Sequence, residues 1–360
     1  MRHGRSEVAI ERYQMSAAVR FMNCTRRERR RDLPANHEGA AVDQSWSYDQ
    51  EDRHEPGRPV VVLGMHRSGT SVVARIINLL GLPLCRDDDL LSGPDNPTGY
   101  WESGSLVKFN DRLLKMFGGS WAFPPAMSRN WESAPSIAAF RGMGGRVFRS
   151  AYPNVEWVWK DPRACLTLPF WRTVWRDAPV VVFVSREPLE IYLSLRKRNG
   201  MGKAHCIALW ERYARSALLG AHGLPMITIS YDQLMKDSLG AVANLRDDLV
   251  GLGVMARGDV NGASQFVSTE FGSSRKYNYR LQADPDSTET QRLLIEFIES
   301  LPRTSPKFIA AGLGSESSST TELLCAVRCY PPGLPVVAGE VWRAFRRSAA
   351  ARGLVPWFPP

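Results

Sequence analysis

The chain has 360 residues, 44% of them hydrophobic and 23% charged, with a formal net charge of +9. That composition suits a globular protein and excludes collagen-like, coiled-coil and wholly disordered chains. The charge is spread out: residues 1–58 hold eleven Lys/Arg against ten Asp/Glu, and residues 302–360 seven against three. A dispersed surplus argues against a nucleic-acid surface, which needs clustered cations, and suits a small anionic ligand. No apolar run reaches the roughly 20 residues of a membrane helix, and the N-terminus lacks the apolar stretch of a secretory signal. The expectation is a cytoplasmic protein. The six cysteines (24, 85, 165, 206, 325, 329) have no zinc spacing, so free thiols are expected and no metal site is.

Residues 1–58 mix arginines (Arg26, Arg27, Arg29, Arg30, Arg31) with acids, Gly and Pro, and read as a disordered leader. Order is expected from Pro59. Val60-Val61-Val62-Leu63 is short, continuous and β-branched, the pattern of a strand covered on both faces. The loop Gly64-Met65-His66-Arg67-Ser68-Gly69-Thr70-Ser71 follows. Apolar residues at Val72, Val73, Ile76, Ile77, Leu79 and Leu80 then recur at helical spacing up to Gly81. Further strands are predicted at Val155–Trp159, Val180–Val184 and Met226–Ser230. Helices are predicted at 103–117, 188–198, 203–221, 232–251 and 288–301. This alternation predicts an α/β fold, P-loop-like, with three layers and a central mostly parallel sheet flanked by helices. The expected domain is 59–301, followed by a Ser-rich linker (Gly314–Thr321) and a flexible or poorly determined tail over 302–360. The sequence sets no oligomeric state.

The loop after the first strand carries the chemistry. At a helix N-terminus the first amides lack intrahelical acceptors and the helix dipole favours anions. Gly64 and Gly69 let the backbone curl into an anion nest. His66, Ser68, Thr70 and Ser71 add polar groups, and Arg67 a permanent cation with a fork of donors. A nucleotide hydrolase would place lysine where Thr70 stands, so ATPase or GTPase chemistry is disfavoured.

In these residues the chain resembles the PAPS-dependent sulfotransferases, bacterial in type, with loop similarity to tyrosylprotein and carbohydrate members. Their 5′-phosphosulfate loop reads like Arg67-Ser68-Gly69-Thr70-Ser71. Their 3′-phosphate element, a strand followed by Arg, Pro and a Ser eight residues past the Arg, is matched by Val180–Val184, Arg186, Pro188 and Ser194. The resemblance implies PAPS as sulfonate donor, held by residues 66–71, Arg186 and Ser194, with no metal. Catalysis would fall to Arg67, Lys160, Ser194 and Glu102. Lys160 ends a strand where the family often carries a lysine, but the catalytic histidine of cytosolic members is replaced by Pro162. Glu102 is therefore the expected base, with Asp161 and His66 as rivals; alternatively, Glu102 caps the helix starting near Ser103. Asp161 is expected to pair with Arg163, and His66 to orient the loop. Ser274-Arg275-Lys276 matches a basic loop closing over the nucleotide, and Trp101, Trp121, Trp131 and Trp210 are stacking or core candidates. The implied acceptor is a small-molecule or glycan hydroxyl, with a carbohydrate preferred by analogy. Two rival readings stay open: a non-catalytic relative that binds 3′-phosphonucleotides, and an atypical P-loop kinase.

Overall fold

The computed structural model describes residues 57–93, 99–271 and 280–325. The leader up to residue 56, Cys24, the segment with Ser274-Arg275-Lys276, Cys329 and the tail beyond 325 lie outside the described residues.

Five strands form one sheet in the order β2-β1-β3-β4-β5. They are β1 (Val60–Leu63), β2 (Val158–Lys160), β3 (Val180–Ser185), β4 (Met226–Ser230) and β5 (Thr304–Ser305). The first four are parallel; β5 pairs antiparallel to the start of β4, Met226 facing Ser305 and Ile227 facing Thr304. Alternation along each strand assigns side chains to the two faces of the sheet. Val61, Leu63, Trp159, Val181 and Phe183 face one layer, which includes α2 (Gly104–Met116), α3 (Pro135–Ala151), α4 (Ala164–Arg172), α5 (Pro188–Asn199) and α6 (Lys203–Ala221). Val60, Val62, Val158, Val180 and Val182 face the other, with α1 (Thr70–Leu79), α7 (Tyr231–Lys236), α8 (Ser238–Gly251) and α9 (Val260–Phe271). The valines of β1 and β3 are fully buried, as a strand covered on both faces requires. The three-layer α/β expectation holds.

Boundaries shifted where local chemistry intervened. The strand expected at Val155–Trp159 starts only at Val158; Val155 is exposed, and the Glu156 carboxylate accepts the Gly57 amide. The helix expected at 232–251 is two helices, because Asp237 ends α7 and caps α8, its carboxylate accepting the Gly240 amide. Regular structure also continues past 301. After α10 (Glu289–Glu299) come β5 and α11 (Ser318–Cys325), where a linker and flexible tail were expected. The anchor is Glu211 on α6, fully buried, which accepts from the Ser317 amide and hydroxyl and from the Thr320 hydroxyl, each at 2.7 Å. The serines read as a linker are the partners of a buried carboxylate.

Candidate active site

The carboxyl ends of β1, β2 and β3 deliver three groups of side chains to one edge of the sheet, where ligands of α/β folds bind.

The β1–α1 loop is tightly constrained. A Cβ on Gly64 would lie 2.9 Å from the Val184 carbonyl, and one on Gly69 (φ 97°) would lie 2.2 Å from the Tyr231 ring. Arg67 sits at φ 69°, a conformation side chains other than Gly, Asn and Asp seldom adopt. The Gly64 amide donates to Cys165 Sγ at 3.1 Å, so a buried thiol on α4 fixes the start of the loop; burial pushes that thiol up to about 12 and keeps it protonated at neutral pH. Cys85, Cys165, Cys206 and Cys325 are all free thiols. Ser68 Oγ is buried with no hydrogen-bond partner, and so is His66 Nε2. Buried polar atoms are ordinarily satisfied, so an orphan hydroxyl in an anion-nest loop fits a ligand oxygen. His66 packs against Trp121 and Tyr213, at ring separations of 4.7 and 5.7 Å. Burial first, then Arg163, Lys160, Arg198 and Arg67, holds its pKa well below the usual histidine range. Its ring is wedged between Trp121 and Tyr213, and the lowered pKa disfavours it as the rival base.

The β3 end closes on this loop. Arg186 Nη1 donates to the Arg67 carbonyl at 3.0 Å, its Nε donates to Glu190 at 2.9 Å, and its guanidinium lies 4.3 Å from the centre of the Tyr231 ring. Arg67 Nε donates to Ser194 Oγ on α5 at 2.8 Å. Elements more than a hundred residues apart in the chain thus meet through Arg67, Arg186 and Ser194. A cavity of about 880 Å³ opens beside them, lined by Ser68, Arg186, Glu187, Trp210 and Thr228 among others. It runs toward β4 and does not include Lys160 or Glu102.

At the β2 end Lys160, 1% exposed, forms a buried ion pair with Glu102 and donates to Ser71 Oγ at 3.2 Å; Ser71 in turn donates to the Tyr100 carbonyl. Arg163 Nη1 lies 4.0 Å from Glu102. Burial raises the Glu102 carboxyl above its ordinary range, with Lys160 acting in the opposite direction. Asp161 accepts from Asn110 and from the Arg163 amide and guanidinium, so it is saturated and pairs as expected. Ser103, not Glu102, caps α2: its hydroxyl accepts the Leu106 amide. The capping alternative for Glu102 is therefore discarded, and its carboxylate belongs to the lysine. Trp131 and Trp210 are buried core residues, whereas Trp101 stacks under Arg75 and Trp121 against His66.

Sequence reasoning missed Tyr231. It follows β4 as Arg186 follows β3, touches Gly69 and stacks on Arg186; an aromatic at the carboxyl end of a parallel strand was the available signal. Cys165 carried no signal. Among the described residues no group of His, Cys, Asp and Glu is arranged to hold a metal ion, and no helix is long and apolar enough to cross a membrane.

No protein-family model matches the chain, and no curated protein matches it. Among solved structures it is similar to the sulfotransferase domain from the Synechococcus PCC 7002 olefin synthase, with 14% identity over 80% of this chain and 100% of that one, at a TM-score of 0.36. It is also similar to the sulfotransferase domain from the curacin biosynthetic pathway, with 16% identity over 77% of this chain and 98% of that one, at a TM-score of 0.32. The fold class rests on the strand order and the β1–α1 loop described above.

Proposed function

We propose that this chain transfers a sulfonate group from PAPS to a hydroxyl acceptor. The observation that carries the reading is the meeting of the two nucleotide elements: Arg67 bonds Ser194, and Arg186 bonds the Arg67 carbonyl. The transfer forms an acceptor O–S bond and breaks the S–O bond to the donor phosphate, releasing adenosine 3′,5′-bisphosphate. PAPS supplies the activated sulfonate; the protein's part is positioning and charge stabilisation.

In this reading the amides of the β1–α1 loop and the orphan Ser68 hydroxyl receive the phosphosulfate oxygens. Arg186 and Ser194 hold the 3′-phosphate, and the cavity toward β4 takes the nucleoside. Arg67 and Lys160 oppose the charge that builds on the leaving phosphate. Lys160 sits between Glu102 and Ser71 at the start of α1, so a small swing of its ammonium toward the loop uncovers the carboxylate. Burial makes Glu102 a stronger base than an exposed glutamate, suited to taking the hydroxyl proton. The acceptor then approaches from the β2 side, opposite the nucleoside cavity, and glycan hydroxyls are the first class to try.

The test is a transfer assay on the full chain with sulfonate-labelled PAPS and, in parallel, γ-labelled ATP, against a panel of glycan and small-molecule hydroxyls. Label moving from PAPS alone is expected. Label moving from ATP establishes a kinase. Bisphosphate binding with no transfer to any acceptor leaves a binding protein and removes the catalytic roles.

A further inference from the structure

The two residues before Glu102 are aromatic, and each ring carries an arginine. Trp101 sits at φ 56°, a left-handed conformation that a bulky side chain rarely adopts, so the backbone here is held against its preference. Its ring goes to α1, where the Arg75 guanidinium lies 4.6 Å from the ring centre. The Tyr100 ring goes to α5, where the Arg198 guanidinium lies 5.8 Å from its centre. Tyr100 is fixed at both ends: its carbonyl accepts the Ser71 hydroxyl at 3.3 Å, and a Cβ on Gly93 would lie 2.8 Å from its ring. Arg198 stands four residues past Ser194, so the two share one face of α5. Ser194 meets Arg67 at 2.8 Å, and Arg198 follows one turn farther along, about 6 Å up the helix axis. Arg163, Lys160, Arg198 and Arg67 all bear on the His66 ring as positive charges. Lys160 and Arg163 are paired with Glu102, Asp161 and Asp111, whereas Arg198 is exposed near the end of its helix.

We propose that Arg198 and Tyr100 form an acceptor subsite for an acidic sugar: the Tyr100 ring faces the sugar, and Arg198 takes a carboxylate or sulfate carried near the reacting hydroxyl. The assignment names the acceptor class and rests on the sulfonate-transfer reading above. A planar guanidinium receives either anion through two parallel hydrogen bonds, and an exposed contact with an aromatic ring is weak enough to yield to them. The ring left beneath offers its face to the C–H surface of the sugar. The signature is selective. A residue that only braces α5 would weaken acidic and neutral sugars alike, whereas an anion ligand sets the ratio between them.

The experiment titrates the full chain, saturated with adenosine 3′,5′-bisphosphate, with uronic-acid and sulfated oligosaccharides and with their carboxyl-reduced or desulfated counterparts. Wild type, Arg198→Ala, Arg198→Lys and Tyr100→Ala are compared, and transfer from labelled PAPS is followed on the same sugars. Each variant's bisphosphate affinity is measured first, so that general damage to the site is told apart from a lost preference. Wild type is expected to bind an acidic sugar roughly tenfold tighter than its neutral counterpart, and Arg198→Ala to abolish that preference. Arg198→Lys, keeping the charge but losing the fork, is expected to fall between. Tyr100→Ala is expected to weaken both members of a pair by a similar factor. A wild type that favours no acidic sugar, or an Arg198→Ala variant that keeps the preference, overturns the subsite. Acidic binding that depends on Arg198, with no label moving from PAPS, leaves the anion subsite standing and overturns the sulfonate-transfer reading.

Discussion

The β2 and β3 ends of the sheet reach the same loop with opposite electrostatic designs. At β2, Lys160, Glu102, Arg163, Asp161 and Asn110 satisfy one another in the interior. At β3, Arg186 and Arg67 spend their bonds tying loops together beside a cavity with orphan hydroxyls at Ser68 and Thr228. Removing one member of an internally neutralised pair is costly, whereas charge at a cavity wall is available to a ligand. Under the proposed function, this difference assigns chemistry to the β2 end and recognition to the β3 end, with Arg67 serving both.

Removing the shared residue should have the largest effect. Arg67→Ala is expected to lower transfer by about a thousandfold while the protein keeps its thermal transition, as loss of a preorganised charge donor does. Wild-type-like turnover in this variant would dissolve the link between the two ends.

At β2 the expected loss is stability. Lys160→Ala leaves Glu102 buried without its cation, which costs about 3–5 kcal/mol in denaturant titration. Adding Glu102→Gln should recover much of that loss, whereas additive losses would mean the pair is not a unit. The same burial sets a pH signature. The raised Glu102 carboxyl holds its proton more tightly in the folded chain than in the unfolded one. Stability contributed by that group therefore falls as pH climbs from the ordinary carboxylate range through the raised value. Melting temperatures of Glu102→Gln across that window should fall less steeply than those of wild type.

At β3 the effects should be on binding. Gly69→Ala drives a methyl group into the Tyr231 ring at a left-handed position, costing about 1–3 kcal/mol of stability and displacing the ring from Arg186. Bisphosphate affinity should drop along with the melting temperature. Ser194→Ala removes one acceptor of Arg67 and should weaken the bisphosphate roughly threefold to tenfold with the fold intact.

Much of this architecture was legible in the residues because two kinds of pattern dominate it. Continuous apolar strands announce a sheet covered on both faces, and β4 and α6 occur at their expected bounds, Met226–Ser230 and Lys203–Ala221. The loop and the Arg186–Ser194 element are local motifs, readable without knowing how the chain returns. What escaped depends on long-range partners. Helix α4 hides behind Asp161-Pro162 and carries Pro169 inside it; α3 carries three glycines that weaken its helical signal. Both are held by burial against the sheet, which no window of sequence reports. The Ser-rich stretch at 317–321 reads as a linker until Glu211, more than a hundred residues earlier, is seen beneath it. The pairing of Lys160 with Glu102 spans 58 residues and had no spacing rule to reveal it.

The most direct test of the central claim is calorimetric titration of wild type and Arg186→Ala with adenosine 3′,5′-bisphosphate and with ADP. The account predicts that wild type prefers the bisphosphate and that the preference disappears in Arg186→Ala. Equal or tighter binding of ADP by wild type would contradict it, because the β3 end would then hold no 3′-phosphate site.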